Sequence, residues 1–428
     1  MPLLDRRPAP ATGADVAGMV SALLSSPERP APPTLLPDAG EAPLPRDDGP
    51  AAPASSLPFA LPGGIGTSAV RVPRPPARRP PDAAARRPPD AAARLGTSAM
   101  RLLAGPGARP PGEALYCPPA VRDDVALGEA VNDRLVEWAE EVGVYPGQLD
   151  KVRAADFGRL VMLTHPATDD PDRLLAAGKC ILAEWATDDH FLDDESIGAD
   201  ATAIAARLGV TYAAVDPTDL PVRYAPQLDR ALDAEPVAVA YRSAIGHLAR
   251  YATATQLARL RHELAVMFLA YNHEANWRTS GRVPPVWEYL THRHENSFLP
   301  PMVLVDAIAG YEVPAWEFAD RRVRRAFCLA GTASVVLNDL YSRTKEQDAD
   351  FDLPKLIAAE EGCSAEEAVE RTVCIHNELM HTFVAEASVL SQLGSVELRR
   401  FLADLWAWLG GSREWHSTTG RYHAAGRA

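Results

Sequence analysis

The sequence predicts an all-α protein, a single helical bundle preceded by a disordered Pro/Ala-rich tail. Three observations carry that reading. From about Glu113 onward, Trp, Leu, Val and Ala recur at helical spacing. Apolar and polar residues seldom alternate there at the period of a strand. Before that point the composition is different, because more than half of the chain's 39 prolines fall within residues 1–112.

Residues 1–112 are rich in Pro, Ala and Arg. Proline removes the backbone donors that helices and sheets need. Large apolar side chains are too few to offset the entropy lost on ordering. Two direct repeats occur: RRPPDAAA at Arg78–Ala85 and again at Arg86–Ala93, and GTSAVR at Gly66–Arg71 returning as GTSAMR at Gly96–Arg101. Both are too short and polar to stack as a solenoid. Only Asp15–Leu24 has the pattern of a short helix. Such a tail is either a solvated extension or a docking segment for a Pro-binding partner.

Residues 113–428 read as one helical domain, long enough to bury a sizeable core. Helices are expected over Arg173–His190, Leu257–Asn276, Arg321–Glu346, Ser364–Leu393 and Val396–Leu409. The last is expected to stop at Gly410-Gly411, since glycine favours helix C-termini.

Composition excludes several functions. No run approaches the roughly 20 apolar residues that span a bilayer. The N-terminus lacks a basic segment followed by an apolar one, so a cytoplasmic protein is expected. The five cysteines (Cys117, Cys180, Cys328, Cys363, Cys374) are scattered and form no C-x-x-C pair, which argues against disulfides and zinc. A formal charge of −14 disfavours nucleic acid as a partner. It leaves room for a phosphorylated small molecule held through cations. No glycine-rich nucleotide-binding pattern occurs. His292 and His294 point two ways on a helix and gain no third ligand at zinc spacing.

Two motifs carry chemistry. The first is Asp188-Asp189-His190-Phe191-Leu192-Asp193-Asp194 at the end of an apolar helix. Asp189 and Asp193 are expected on one helical face, about 6 Å apart along the axis. Carboxylates so close repel one another unless cations lie between them, and Mg²⁺ takes such ligands together with phosphate oxygens. Acidic residues also oppose the dipole at a helix C-terminus, which suits placement for function. Taken alone, the motif also fits a solvated acidic helix end.

The second motif is Asn338-Asp339-Leu340-Tyr341-Ser342-Arg343-Thr344-Lys345-Glu346. Asn338, Ser342 and Glu346 recur every fourth residue and fall within an arc of about 80° on a helix. They form a stripe of oxygen ligands with Lys345 beside it. Asn and Ser are poor helix formers, so their presence there calls for a reason.

Together these segments resemble the class I terpene cyclases. Asp188–Asp193 is similar to that family's aspartate-rich motif, and Asn338–Glu346 to its second magnesium motif. Arg293 lies where the family carries a diphosphate-sensing arginine, about 45 residues before the second motif, and Asn296 and Ser297 sit at the helix break that follows it. Arg421-Tyr422 lies where the family carries an Arg-Tyr pair. The resemblance covers the whole region after the tail. Within the family, the leader repeats, the wording NDLYSRTKE and the run Leu353–Ser364 resemble members that cyclise 2-methylgeranyl diphosphate to a tertiary alcohol. The other reading within the family is a sesquiterpene cyclase of the geosmin or germacradienol type, acting on farnesyl diphosphate. Chain-elongating prenyltransferases share the fold but carry two aspartate-rich motifs, unlike this chain. Outside enzymology, a Pro-rich docking protein is the alternative.

The resemblance implies three Mg²⁺ ions. Asp188 would hold two, with Asp189 and Asp193 as further candidate ligands, and Asn338, Ser342 and Glu346 would hold the third. It implies that Arg293, Lys345, Arg421 and Tyr422 bind the diphosphate. Asp188, Arg293, Arg421 and Tyr422 are the expected catalytic groups. The partner is an allylic diphosphate, and a homodimer is allowed. Aromatic candidates for the carbocation are Phe191, Trp287, Phe298, Trp316 and Tyr422. No residue stands out in the sequence as positioning a quenching water.

Overall fold

A computed structural model describes residues 114–193, 200, 202–342 and 351–420. All belong to the unit Arg94–Ala428. The tail, its repeats and the expected helix at 15–24 lie outside the described residues.

In chain order the helices are α1 (Val125–Val142), α2 (Leu149–Ala155), α3 (Phe157–Thr164) and α4 (Pro171–Asp188), which continues as a π-type turn, Asp189–Asp193. Next come α5 (Ile204–Val215), α6 (Ala225–Asp233), α7 (Pro236–Leu248), α8 (Ala254–Ser280) and α9 (Val286–Glu295). Short pieces follow, α10 (Leu299–Met302), α11 (Val305–Ile308) and α12 (Ala315–Phe318). The chain ends in α13 (Arg321–Ser342), α14 (Leu353–Glu361), α15 (Ala365–Leu393) and α16 (Val396–Thr418). No strand occurs among the described residues, as the all-α expectation requires. No described helix is long and apolar enough to cross a membrane.

The helices begin where the sequence supplies caps. Thr253 with Gln256, and Ser364 with Glu367, close reciprocal capping boxes at the starts of α8 and α15. Asp170 caps α4, whose first residue is Pro171. α13 packs along α15, α4 along α7, and α3 between α1 and α16. Most buried apolar residues form one large cluster, with a smaller one around Trp277, Tyr289, Val336 and Leu353, and Phe157, Trp185 and Trp415 join three helices with ring centroids 5.0–5.8 Å apart.

One expected boundary is wrong. α16 does not stop at Gly410-Gly411 but continues to Thr418. The two glycines serve close approach instead. A Cβ on Gly410 would lie 2.4 Å from the Pro119 carbonyl oxygen, and one on Gly411 would lie 2.5 Å from that of Leu163. They let neighbouring backbone press against the helix.

Candidate diphosphate and metal site

The acidic motif sits where α4 loses its α-helical register. Asp188 is the last α-helical residue, and Asp189–Asp193 form the π-type turn. That turn uses a wider repeat than an α-helix. Asp189 is buried and accepts a 2.7 Å hydrogen bond from the Tyr145 hydroxyl. Tyr145 is held at φ 54° and also donates its backbone N–H to His190 Nε2 at 3.3 Å. A left-handed conformation is costly for a residue with a side chain, and it places the phenol under the turn. Asp188, by contrast, is half-buried, and its charge pushes up the Tyr271 hydroxyl, which burial has already raised. Asp193 closes the turn, and Asp194 lies outside the described residues.

The described part of the second motif, Asn338–Ser342, occupies the end of α13. Ser342 is the last described residue of the helix and is buried, with Asn338 one turn earlier and half-buried. Their stripe therefore faces inward rather than lying on the exposed surface. Asp339 is fully buried and supports the wall. It pairs with Arg293 and accepts hydrogen bonds from the Tyr289 hydroxyl and the Leu353 amide, each at 3.2 Å. Burial lifts its carboxyl above the ordinary value, and Arg293 pulls it back.

Arg293 lies on α9 and donates through Nη2 to Asn338 Oδ1 at 3.2 Å. The two residues are 45 apart in sequence, and the fold brings them into contact. Burial opposes the charge on Arg293, but Asp339 and Tyr289 outweigh it and keep the guanidinium ionised. Arg293 Nε is buried and meets no hydrogen-bond partner among the described residues. Such an uncompensated donor suits a phosphate oxygen. α9 ends just beyond it, at Glu295, and the chain breaks through Asn296–Phe298 before Pro300-Pro301 open α10.

A path of side-chain contacts links the acidic turn to α9, which carries Arg293. Arg278 donates to the Leu192 carbonyl in the acidic turn at 3.3 Å, and to Glu274 at 2.7 Å. Glu274 also lies 3.3 Å from His292, the neighbour of Arg293. Burial pushes the Glu274 carboxyl up, but His292 and Arg278 outweigh it and hold the group well below the usual carboxylate range. Both motifs thus border one region of the domain.

Lys345, Glu346, Arg421 and Tyr422 lie outside the described residues. Of the aromatic candidates, Trp287 and Trp316 are 68% and 75% exposed. Each sits in the first turn of its helix, α9 and α12 respectively. Phe191 is buried, with the Arg207 guanidinium 4.1 Å above its ring. Phe298 packs against Trp408 and His416, close to Asn338.

The candidate donors of the two motifs and Arg293 are a half-buried carboxylate, an amide oxygen, a hydroxyl and a guanidinium. Oxygen ligands of this kind suit a hard cation such as Mg²⁺. Among the described residues no three His, Cys, Asp or Glu side chains cluster as a metal site of their own.

Comparison with known proteins agrees. Residues 179–382 match the family model described as terpene synthase family 2, C-terminal metal binding. The 2-methylisoborneol synthase of Saccharopolyspora erythraea is 37% identical over 317 residues, covering 72% of this chain and 89% of that protein. The crystal structure of 2-methylisoborneol synthase from Streptomyces coelicolor with Mg²⁺ and 2-fluoroneryl diphosphate superposes with a TM-score of 0.69 at 36% identity, covering 74% of this chain and 98% of that one. The same enzyme with Mg²⁺ and 2-fluorogeranyl diphosphate gives 0.66 at 35% identity, with the same coverage.

Proposed function

This chain belongs to the terpene synthase family, and we propose that it converts 2-methylgeranyl diphosphate and water to 2-methylisoborneol and diphosphate. The observation that carries the reading is the Arg293–Asn338 contact. It sets a buried cation against an oxygen of the second motif, as capture of a metal-bound diphosphate requires. The narrower choice of substrate rests on the 37% identity to a 2-methylisoborneol synthase over most of that protein's length.

Asp188 would hold Mg²⁺ on one side, and Asn338, Ser342 and Glu346 on the other, three ions in all. When bound, Mg²⁺ neutralises the diphosphate oxygens as the allylic carbon–oxygen bond breaks. Arg293 would donate to those oxygens through Nε, while Asp339 and Tyr289 keep its charge in place. Lys345, Arg421 and the Tyr422 hydroxyl would add donors. Arg suits this role because its planar fork can bind phosphate through two hydrogen bonds. The buried apolar walls would keep water from the carbocation until cyclisation ends. Asp189, tied to Tyr145, would orient the acidic turn rather than carry the metal, and Asp193 stays a candidate ligand. A homodimer in the cytoplasm completes the reading.

The test is incubation with geranyl, 2-methylgeranyl and farnesyl diphosphates, with and without Mg²⁺, followed by gas chromatography and diphosphate assay. The expected result is Mg²⁺-dependent conversion of 2-methylgeranyl diphosphate to a tertiary alcohol. Turnover of farnesyl diphosphate alone would select the sesquiterpene cyclase instead. No diphosphate release from any substrate would select the non-enzymatic docking protein.

A further inference from the structure

Glu184 is a charged residue type in a helix segment that is otherwise apolar. It lies four residues before Asp188 on α4, so it occupies the same face one turn away, about 6 Å along the axis. It is 5% exposed, and its Oε1 is buried with no hydrogen-bond partner among the described residues. Polar side chains surround it. The Tyr271 hydroxyl donates to its backbone carbonyl at 3.4 Å. The Tyr241 hydroxyl lies 3.0 Å from Thr187 Oγ1 on the same helix. The charge of a Glu184 carboxylate would reach Cys180, Tyr241 and Tyr271, and Tyr271 also senses Asp188.

A buried polar atom without a partner is costly, and native structures retain few of them. This one is next to two phenols, in a position one turn along the helix from the diphosphate-binding end. A ligand whose diphosphate meets Asp188 would extend its hydrocarbon along that face. We propose that Glu184, together with Tyr241 and Tyr271, seats the water that captures the final carbocation. The proposal rests on the alcohol-forming reading given above.

Burial drives the Glu184 carboxyl well above its ordinary value, which favours the neutral acid. A neutral acid suits the task. A carboxylate beside a carbocation would bond to it or strip a proton from it, whereas the acid offers one donor and an acceptor oxygen to a water. The balance is simple. The water oxygen forms a bond to the tertiary carbon. The resulting oxonium loses one proton, which leaves with the diphosphate. Glu184 is protonated before and after, and nothing is oxidised or reduced.

The experiment compares wild type, Glu184→Leu and Glu184→Gln on 2-methylgeranyl diphosphate, measuring the alcohol-to-hydrocarbon ratio, diphosphate release and thermal midpoint. Without a seated water the cation loses a proton and leaves as an olefin. Glu184→Leu should therefore lower the ratio about tenfold or more, while diphosphate release stays within about fivefold. Glu184→Gln keeps an acceptor oxygen and should stay within about threefold of the wild-type ratio. The Leu variant should melt no lower than wild type, since an unpartnered buried carboxyl contributes no stabilising bond. An unchanged ratio in Glu184→Leu, or a variant that melts lower or fails to fold, overturns the proposal. If wild type makes only hydrocarbon, the alcohol reading itself falls and this role with it. That failure shows in the wild type, whereas failure of the Glu184 role shows only in the variants.

Discussion

His416 Nε2 lies 3.1 Å from the Asn338 side-chain nitrogen, and this contact sets which way the Asn338 amide faces. The other ring nitrogen, Nδ1, donates to the Ser412 carbonyl at 2.7 Å, so Nε2 carries the lone pair and accepts from the amide. Asn338 Oδ1 is thereby turned toward Arg293, and under the proposed function it is the oxygen that would meet a metal. Burial lowers the imidazole pKa to about 4, so it stays neutral and keeps this role at ordinary pH. Groups behind a metal ligand commonly change affinity by about 10–100-fold. His416→Phe should raise the Mg²⁺ concentration for half-maximal activity within that range and leave helical content unchanged. An unaltered Mg²⁺ titration would remove His416 from the site.

The candidate site was partly legible in the sequence, and the reason differs by residue. Arg293 could be paired with the second motif because a repeated family spacing reports a tertiary contact indirectly. Asn338 and Ser342 showed themselves by helical period. His416, Tyr145 and Glu184 did not. Their partners are 78 and 44 residues away for the first two, and for Glu184 the telling fact is that Oε1 has no partner. Only the carboxylate in an apolar run could have flagged Glu184. Trp287 and Trp316 misled because residue type alone does not tell an exposed aromatic from a cavity wall. Gly410 and Gly411 misled for a related reason, since a helix stop and a close backbone contact use the same residue.

Acid should weaken the fold through its histidines. Burial lowers His165, His376 and His416 to about 4 each, from an unfolded value of 6.5. Between those values the unfolded chain binds more protons than the folded one, so stability rises with pH across the window and is lost as pH falls through it. Each group can contribute up to about 3 kcal/mol. Thermal midpoints measured from pH 7 down to pH 4 should fall steadily. A midpoint that is flat over this range would mean that these rings are not buried as neutral bases.

Removing the tail should leave catalysis intact if the cut is placed correctly. The described contacts begin at Ala114, whose carbonyl accepts from Asn377, while the Tyr116 amide donates to the same side chain. Tyr116 also stacks on His381 at 4.2 Å. Deleting residues 1–112 spares these contacts and all the candidate ligands, so turnover should stay within a factor of a few. A loss beyond about a hundredfold, equivalent to some 2.7 kcal/mol in the barrier, in a chain that still folds would assign the tail a part in the active site.

The second metal face gives the sharpest test. Asn338 and Ser342, the proposed ligands, are neutral, so their contribution would be geometric, and Mg²⁺ demands near-ideal octahedral placement. Ser342→Ala removes one oxygen from a buried position at the end of α13. Glu346→Gln preserves shape but removes a charge. If both side chains serve one ion, each single change should lower kcat/KM by at least about a hundredfold, and the double mutant should lose less than the product of the two. Fully multiplicative losses would place the residues on different ions or in different steps. Circular dichroism should show unchanged helix, because neither substitution removes core volume. Excess chelator should abolish turnover in the wild type, and added Mg²⁺ should restore it. Wild-type activity in Glu346→Gln would reject Glu346 as a ligand and, with it, the assignment of this helix end to the metal.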